Sequence, residues 1–273
     1  MAQTCYRHPN RETGVSCSNC GRPICPECMT PTPVGMRCPE CARQRTRVVR
    51  GVGEASLFAR APATFILIAI NVAVFFAEVA TGSGGIENIA TPMIPEFGLF
   101  GPSIASGQWY RLLTSAFIHY GLLHIAGNML LLFFLGRILE PGIGTPRFVM
   151  VYFVSLFAGS FVALLLTPDS LGFGASGAVF GVVGATFVIA RGRGVDALAS
   201  SIGIIILLNL AFSLGVPGIS IGAHLGGLVG GVLCAFFILA GERGYLGERH
   251  LPMELLAMAA LGFFSIASAI AVA

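Results

Sequence analysis

The chain has 273 residues, of which 55% are apolar and only 11% charged, with a formal net charge of +3. An ordinary soluble domain carries about 25% charged residues. This chain therefore cannot cover a water-facing surface, which excludes a soluble globular enzyme of normal design, and its small net charge gives no footing for nucleic-acid binding. Seven of the eight Cys lie between Cys5 and Cys41, and nine of the 16 basic residues, all Arg, precede residue 61. This asymmetry predicts a small polar, cysteine-rich head and a large apolar body.

The head, residues 1–45, holds four pairs of ligand-type residues with two-residue gaps: Cys5 and His8, Cys17 and Cys20, Cys25 and Cys28, and Cys38 and Cys41. One such pair occupies half of a tetrahedral zinc shell, and two pairs close a site. Eight ligands predict two closed, structural Zn²⁺ sites with no open catalytic position. So short a segment cannot build a sufficient core, and metal would supply its folding energy. A disulfide framework fits poorly with the reducing cytoplasm, where the head is expected. Spacing alone leaves sequential and interleaved pairing open. Residues 46–62 read as a linker.

Seven apolar runs follow, at 63–80, 121–139, 148–167, 171–190, 197–216, 218–241 and 255–273. A spanning helix needs roughly 20 mostly apolar residues, and no set of polar helices exists to cover these runs in water. About 60 residues precede the first run, so it is not a cleaved signal peptide. Arg43, Arg45, Arg47, Arg50 and Arg60 precede that run. Arg137 and Arg147 flank the second connection, Arg191 and Arg193 lie in the fourth, and Arg243 and Arg249 in the sixth. The alternate connections carry Arg111 alone. The positive-inside rule then predicts a cytoplasmic N-terminus and an external C-terminus. The segment 81–120 is too long for a turn and holds the only Trp. Short interfacial helices are expected there.

Polar residues in hydrocarbon are functional candidates by default. The second run opens with His124 and Asn128, four apart and so on one helix face. The fourth opens with Gly174-Ala175-Ser176-Gly177, and the sixth contains Ser220 and His224. These three runs share one direction, so their openings lie at one face of the membrane. Counting from the run starts puts Ser176 and His224 both roughly 8–9 Å deep. Glycines at four-residue spacing, Gly177 and Gly181 in one run and Gly227 and Gly231 in the other, would let the two helices approach closely. A serine hydroxyl needs a base to become a nucleophile, and His is the usual one. His124 and Asn128 could supply oxyanion donors. No Asp or Glu lies near this depth in the three runs, so a Ser176–His224 dyad without an acid is expected.

Taken together, Trp109-Tyr110-Arg111, His119 with His124 and Asn128, Gly174-Ala175-Ser176-Gly177, and Ala223-His224 with Gly227 and Gly231 resemble the rhomboid intramembrane serine proteases. The resemblance covers residues 63–241 and implies an all-α polytopic fold of six helices. The remainder, 242–273, then forms a loop and a seventh, C-terminal transmembrane helix. It implies Ser176 as nucleophile, His224 as general base, and His124 and Asn128 as the oxyanion pair. Trp109, Arg111, His119 and Glu140 become structural supports, with Gly174, Gly177, Gly227 and Gly231 as packing positions. Phe180 stands where the family often has a Tyr packed against the catalytic His. The head resembles a B-box-type zinc finger, with Cys38 and Cys41 where that family usually has His. That likeness implies interleaved sites: Cys5, His8, Cys25 and Cys28 in one, Cys17, Cys20, Cys38 and Cys41 in the other. It also implies a protein partner for the head.

The expected activity is cleavage of transmembrane proteins near the outer face through an acyl-enzyme. The enzyme would need no catalytic cofactor and would sit as a multi-pass protein in the plasma membrane of a bacterium, its partners being membrane-protein substrates and the lipid bilayer. The fifth run would form one wall of a lateral opening. A transporter is disfavoured by the lack of repeat symmetry and of central acids. A non-catalytic rhomboid-like binder would be expected to lack Ser176 or His224. A zinc protease would need a His-Glu-x2-His run, which is absent.

Overall fold

The structure is a computed structural model and describes residues 3–32, 35–43, 57–216, 218–246 and 250–273. Arg45, Arg47, Arg50, Arg249 and most of the predicted linker lie outside the described residues. The chain divides into two compact units, residues 1–55 and 56–273.

In the first unit, β1 (Gln3–Cys5) pairs antiparallel with β2 (His8–Thr13), and β3 (Thr30–Thr32) pairs with β4 (Gly35–Arg37). A 3-10 turn, Pro26–Cys28, precedes β3, and α1 (Pro39–Arg43) follows β4. The interior consists of Cys5, Cys17, Ile24, Cys25, Cys28, Cys38 and Cys41, with Tyr6 and Met29 packed against it. Among the described residues Ile24 is its only large aliphatic residue, far short of an ordinary hydrophobic core.

The second unit is helical. A short α2 (Leu57–Arg60) leads into α3 (Pro62–Thr81). The segment that follows carries α4 (Met93–Phe97), α5 (Gly101–Ala105), α6 (Arg111–Thr114) and a 3-10 turn at Ser115–Phe117. Then come α7 (Leu122–Ile143), α8 (Thr145–Leu166), α9 (Ser176–Gly192), α10 (Asp196–Gly215), α11 (Ile221–Glu242) and α12 (His250–Val272). Six of these, α3, α7, α8, α10, α11 and α12, are long and apolar enough to cross a membrane, while α9 has 17 residues and is shorter. The protein is a multi-pass membrane protein.

Two predicted run boundaries need correction. The fourth run was expected to be helical from 171, but its first five residues are not. Leu99 and Gly172 exchange backbone hydrogen bonds of 2.7 and 2.8 Å, and the Gly174 amide donates to the Ser115 carbonyl at 2.8 Å. These partners satisfy the non-helical backbone inside protein, the condition for such a segment at membrane depth. Gly174 has φ +115°, a conformation that favours glycine. The sixth run begins at Ile221, not at 218, because Ser220 caps the helix: its hydroxyl accepts from the Ala223 amide at 3.2 Å. The depth of 8–9 Å counted from the run starts therefore does not apply to either Ser176 or His224.

Charged groups pin the bundle at its other end. The Glu140 carboxylate, fully buried, accepts from the Ala63 and Thr64 amides at 2.9 and 2.8 Å and from the Thr64 and Thr145 hydroxyls at 2.7 and 2.8 Å. It thus satisfies two orphan donors in the first turn of α3, where a negative charge is favoured. Arg147 of α8 pairs with buried Glu254 of α12 at 2.5 Å. The apolar runs at 148–167 and 255–273 stop short of both residues, but the helices extend past their ends and carry the pair.

The centre of the bundle is closed by glycines. A Cβ on Gly227 would lie 1.9 Å from the Gly177 carbonyl oxygen, and one on Gly231 would lie 2.0 Å from that of Gly181. Glycine at these positions is what lets α9 and α11 pack backbone to backbone. By contrast, only Ala199, Ile202 and Ser213 are buried among the 20 residues of α10.

Candidate active site

Helix lengths set the depth of the site. At the far end of α9, the Arg193 guanidinium donates to the Gly142 carbonyl of α7 at 3.0 Å and to Glu242 of α11 at 2.5 Å, which ties the ends of the three helices together. α7 and α11 have 22 residues each and α9 has 17. The shorter α9 therefore opens, with Ser176, below the first residues of its neighbours, by at most about 7–8 Å at 1.5 Å per residue. His224, the fourth residue of α11, lies about 4.5 Å in, and Asn128, the seventh of α7, about 9 Å in. The contacts of Gly177 with Ala223 and Gly227 put Ser176 at about the level of His224.

Ser176 is half-buried and His224 is 7% exposed. Phe180, four residues after Ser176 and so on the same face of α9, stacks on the His224 imidazole with centroids 4.1 Å apart and planes 12° from parallel. A Cβ on Gly177 would stand 3.3 Å from the Ala223 carbonyl. Ser176 and His224 therefore occupy facing first turns of two tightly packed helices. No hydrogen bond joins them: among the described residues the Ser176 hydroxyl has no partner. The imidazole is held instead by the Phe180 stack and by Ser213 of α10, whose Oγ lies 2.7 Å from Nδ1. Resting enzymes commonly leave such a contact long, to tighten when substrate binds.

The other residues singled out in the sequence lie around this pair. The His124 ring abuts Gly174, where a Cβ would fall 2.6 Å from Cε1. Its Nδ1 is buried without a hydrogen-bond partner among the described residues. Asn128 donates from Nδ2 to the His124 carbonyl at 3.0 Å. His119 is fully buried, and its backbone amide donates to both Glu78 carboxylate oxygens at 3.1 and 3.0 Å. Arg111, 5% exposed, ties the connecting segment together: Nε donates to Gln108 at 2.7 Å, and a terminal nitrogen donates to the Pro95 and Gly98 carbonyls at 2.8 and 2.9 Å. Trp109 projects outward, 57% exposed. Glu140 lies at the opposite end of α7 from His124, away from the site. Ser213 and Glu78 escaped sequence reasoning. Ser213 looked like one more serine in an apolar run, and Glu78 ends its run without a local motif.

In the first unit, Cys5, His8, Cys25 and Cys28 place their ligand atoms within 4.8 Å of one another, and so do Cys17, Cys20, Cys38 and Cys41. The pairs interleave. His8 presents Nδ1, 3.9, 3.3 and 3.4 Å from the sulfurs of Cys5, Cys25 and Cys28, and the Cys20 and Cys38 sulfurs lie 3.8 Å apart. Tetrahedral zinc with bonds of about 2.3 Å to sulfur and 2.0 Å to nitrogen needs separations of about 3.5–3.8 Å, so both sets fit that ion. All eight Cys are free of disulfides. Burial pushes the Cys5 thiol up, but hydrogen bonds with the backbone of Cys25, Arg7 and His8 outweigh it and bring the thiol down to about 6. Burial, with Cys5 and Cys25 alongside, pushes Cys28 up to about 11. A cation among them would favour the thiolate at every position.

Residues 106–241 match the family model described as the Rhomboid domain. YdcA of Bacillus subtilis is 32% identical over 148 residues, covering 52% of this chain and 74% of YdcA. The chain belongs to the rhomboid family. Rhomboid protease GluP, also of Bacillus subtilis, is 34% identical over 216 residues, covering 77% of this rhomboid and 42% of GluP. RHOMBOID-like protein 1 of Arabidopsis thaliana is 36% identical over 150 residues, covering 52% of the chain and 38% of that relative. This rhomboid thus spans less than half the length of either of these two relatives.

Proposed function

We propose that this rhomboid is an intramembrane serine endopeptidase that cleaves transmembrane proteins near the outer face of the membrane. Ser176 is the nucleophile and His224 the general base. The observation that carries the reading is the α9–α11 seam. Gly227 touches the Gly177 carbonyl, and His224 stacks on Phe180 one turn beyond Ser176.

The Ser176 oxygen attacks the scissile carbonyl carbon as its proton passes to Nε2 of His224. The oxyanion is held by donors from His124 and Asn128. Collapse breaks the C–N bond, and the leaving amine takes the proton back from Nε2, which leaves an acyl-enzyme on Ser176. Water then adds to the acyl carbon, giving one proton to Nε2. The ester bond breaks, and that proton returns to the Ser176 oxygen. The substrate helix must unwind to reach Ser176, so small or helix-breaking residues near its end favour cleavage. Arg111 and His119 hold the segment that borders the site, and outward-facing Trp109 anchors it at the membrane interface.

The N-terminus is cytoplasmic and the C-terminus external, with the core at 63–241 and the seventh helix within 242–273. The head is a cytoplasmic partner-binding module. Cys5, His8, Cys25 and Cys28 hold one Zn²⁺, and Cys17, Cys20, Cys38 and Cys41 hold a second. Zinc supplies folding free energy there and takes no part in catalysis.

The test is covalent. A serine-directed fluorophosphonate should label the detergent-solubilised protein at Ser176, and both Ser176→Ala and His224→Ala should abolish labelling. Undiminished labelling of Ser176→Ala would sink the assignment.

A further inference from the structure

The residue that holds the imidazole is not on either helix of the dyad. Ser213 lies near the end of α10 and is 5% exposed on a helix that buries almost nothing else. Its Oγ stands 2.7 Å from the Asn209 carbonyl oxygen and 2.7 Å from His224 Nδ1. A hydroxyl has one proton and a carbonyl has none. If Ser213 gave its proton to Nδ1, two oxygens would face each other at 2.7 Å with no hydrogen between them. The proton of Ser213 therefore goes to Asn209, and the Nδ1–H of His224 donates to Ser213. That leaves Nε2 with its lone pair.

We propose that Ser213 is a positioning residue that fixes His224 in the Nδ1–H tautomer and so presents Nε2 as the base. The inference rests on the reading of His224 as the base of Ser176. The hydrogen bond survives proton uptake, because imidazolium also donates from Nδ1. A hydroxyl thus takes the orienting place that a carboxylate fills in a serine triad, without bringing a charge into the bundle. Because Ser213 is on α10, the base is correctly set only while α10 is seated against α11.

Two measurements test this. The first uses the wild-type protein with ¹⁵N-labelled histidine, in which the His224 resonances are identified by their loss in His224→Gln. At a pH where the ring is neutral, the proton should be on Nδ1; a proton on Nε2 overturns the proposal whatever any variant does. The second compares the rate of fluorophosphonate labelling and the kcat of cleavage in Ser213→Ala and Ser213→Thr. Ser213→Ala should slow both by roughly 10–100-fold with little change in KM, as loss of an orienting partner does. Ser213→Thr, which keeps the hydroxyl, should recover most of the loss. Wild-type rates in Ser213→Ala, or a loss that Thr does not relieve, would reduce Ser213 to a packing residue. The proposed activity fails separately, by absence of labelling in the wild-type protein.

Discussion

The ring of Phe180 and the imidazole of His224 lie stacked, one turn of α9 beyond Ser176. The stack fixes the plane of the imidazole while Ser213 fixes its rotation within that plane. Phe180→Ala should therefore lower kcat by about tenfold or more with KM little changed, since a misplaced base loses much of general-base catalysis. Phe180→Tyr should retain most of the activity. Steady-state cleavage of a single-span reporter measures both.

His124 and Asn128 should act on the transition state. His124→Ala and Asn128→Ala should each reduce kcat by about 10²–10³ and leave substrate binding nearly intact. Equal loss in binding and turnover would instead mark them as wall residues. Asn128 already spends one Nδ2 proton on the His124 carbonyl, so its other proton is the one free for an oxyanion.

The glycine seam predicts a sharp contrast. Gly227→Ala sets a methyl 1.9 Å from a backbone oxygen that has no room to move, and should cost about 3 kcal/mol, the upper end of overpacking. It should also separate Ser176 from His224 and abolish probe labelling. Gly127→Ala meets nothing within 4 Å and lies inside α7, so it should stabilise by about 0.5–1 kcal/mol. Thermal unfolding in detergent, read alongside labelling, checks the pair.

Breaking the Arg147–Glu254 pair should unseat α12. Glu254 is fully buried and Arg147 is 15% exposed, and removing one partner of a buried pair typically costs about 3–5 kcal/mol. Glu254→Ala should lower the melting temperature markedly. An unchanged melting temperature would mean that apolar packing alone holds this helix.

The head should carry two zinc ions per chain by elemental analysis, and Cys17→Ser should lose one of them. Chelation should expose the head to proteolysis while Ser176 labelling persists, because the candidate zinc ligands and Ser176 sit in different compact units. A zinc content near zero, with disulfides in its place, would overturn both the metal assignment and the cytoplasmic orientation.

Much of this was legible in the sequence because the signals are local. Cys pairs with two-residue gaps, apolar runs of helix length, and glycines four apart each state their geometry within a few residues. What stayed hidden depends on partners far along the chain. Arg147 and Glu254 are separated by 107 positions, His119 and Glu78 by 41, and no spacing rule connects them. Hydropathy also misplaced the start of α9, because residues 171–175 are apolar yet lie outside the helix. The nearest clue was the alternation of Gly172 and Gly174 around Phe173, which suits a backbone that approaches His124 too closely for a side chain.

The brevity of α9 has a consequence for the surrounding lipid. A 17-residue helix is roughly 26 Å long, shorter than the ~30 Å hydrocarbon layer. A peripheral helix of that length would tilt or draw the leaflets together. Twelve of the residues of α9 are buried, so the shortfall falls in the interior of the protein, beneath its own connecting segments. The bilayer around the bundle therefore need not thin to match this helix, because its short end is covered by protein and not by lipid.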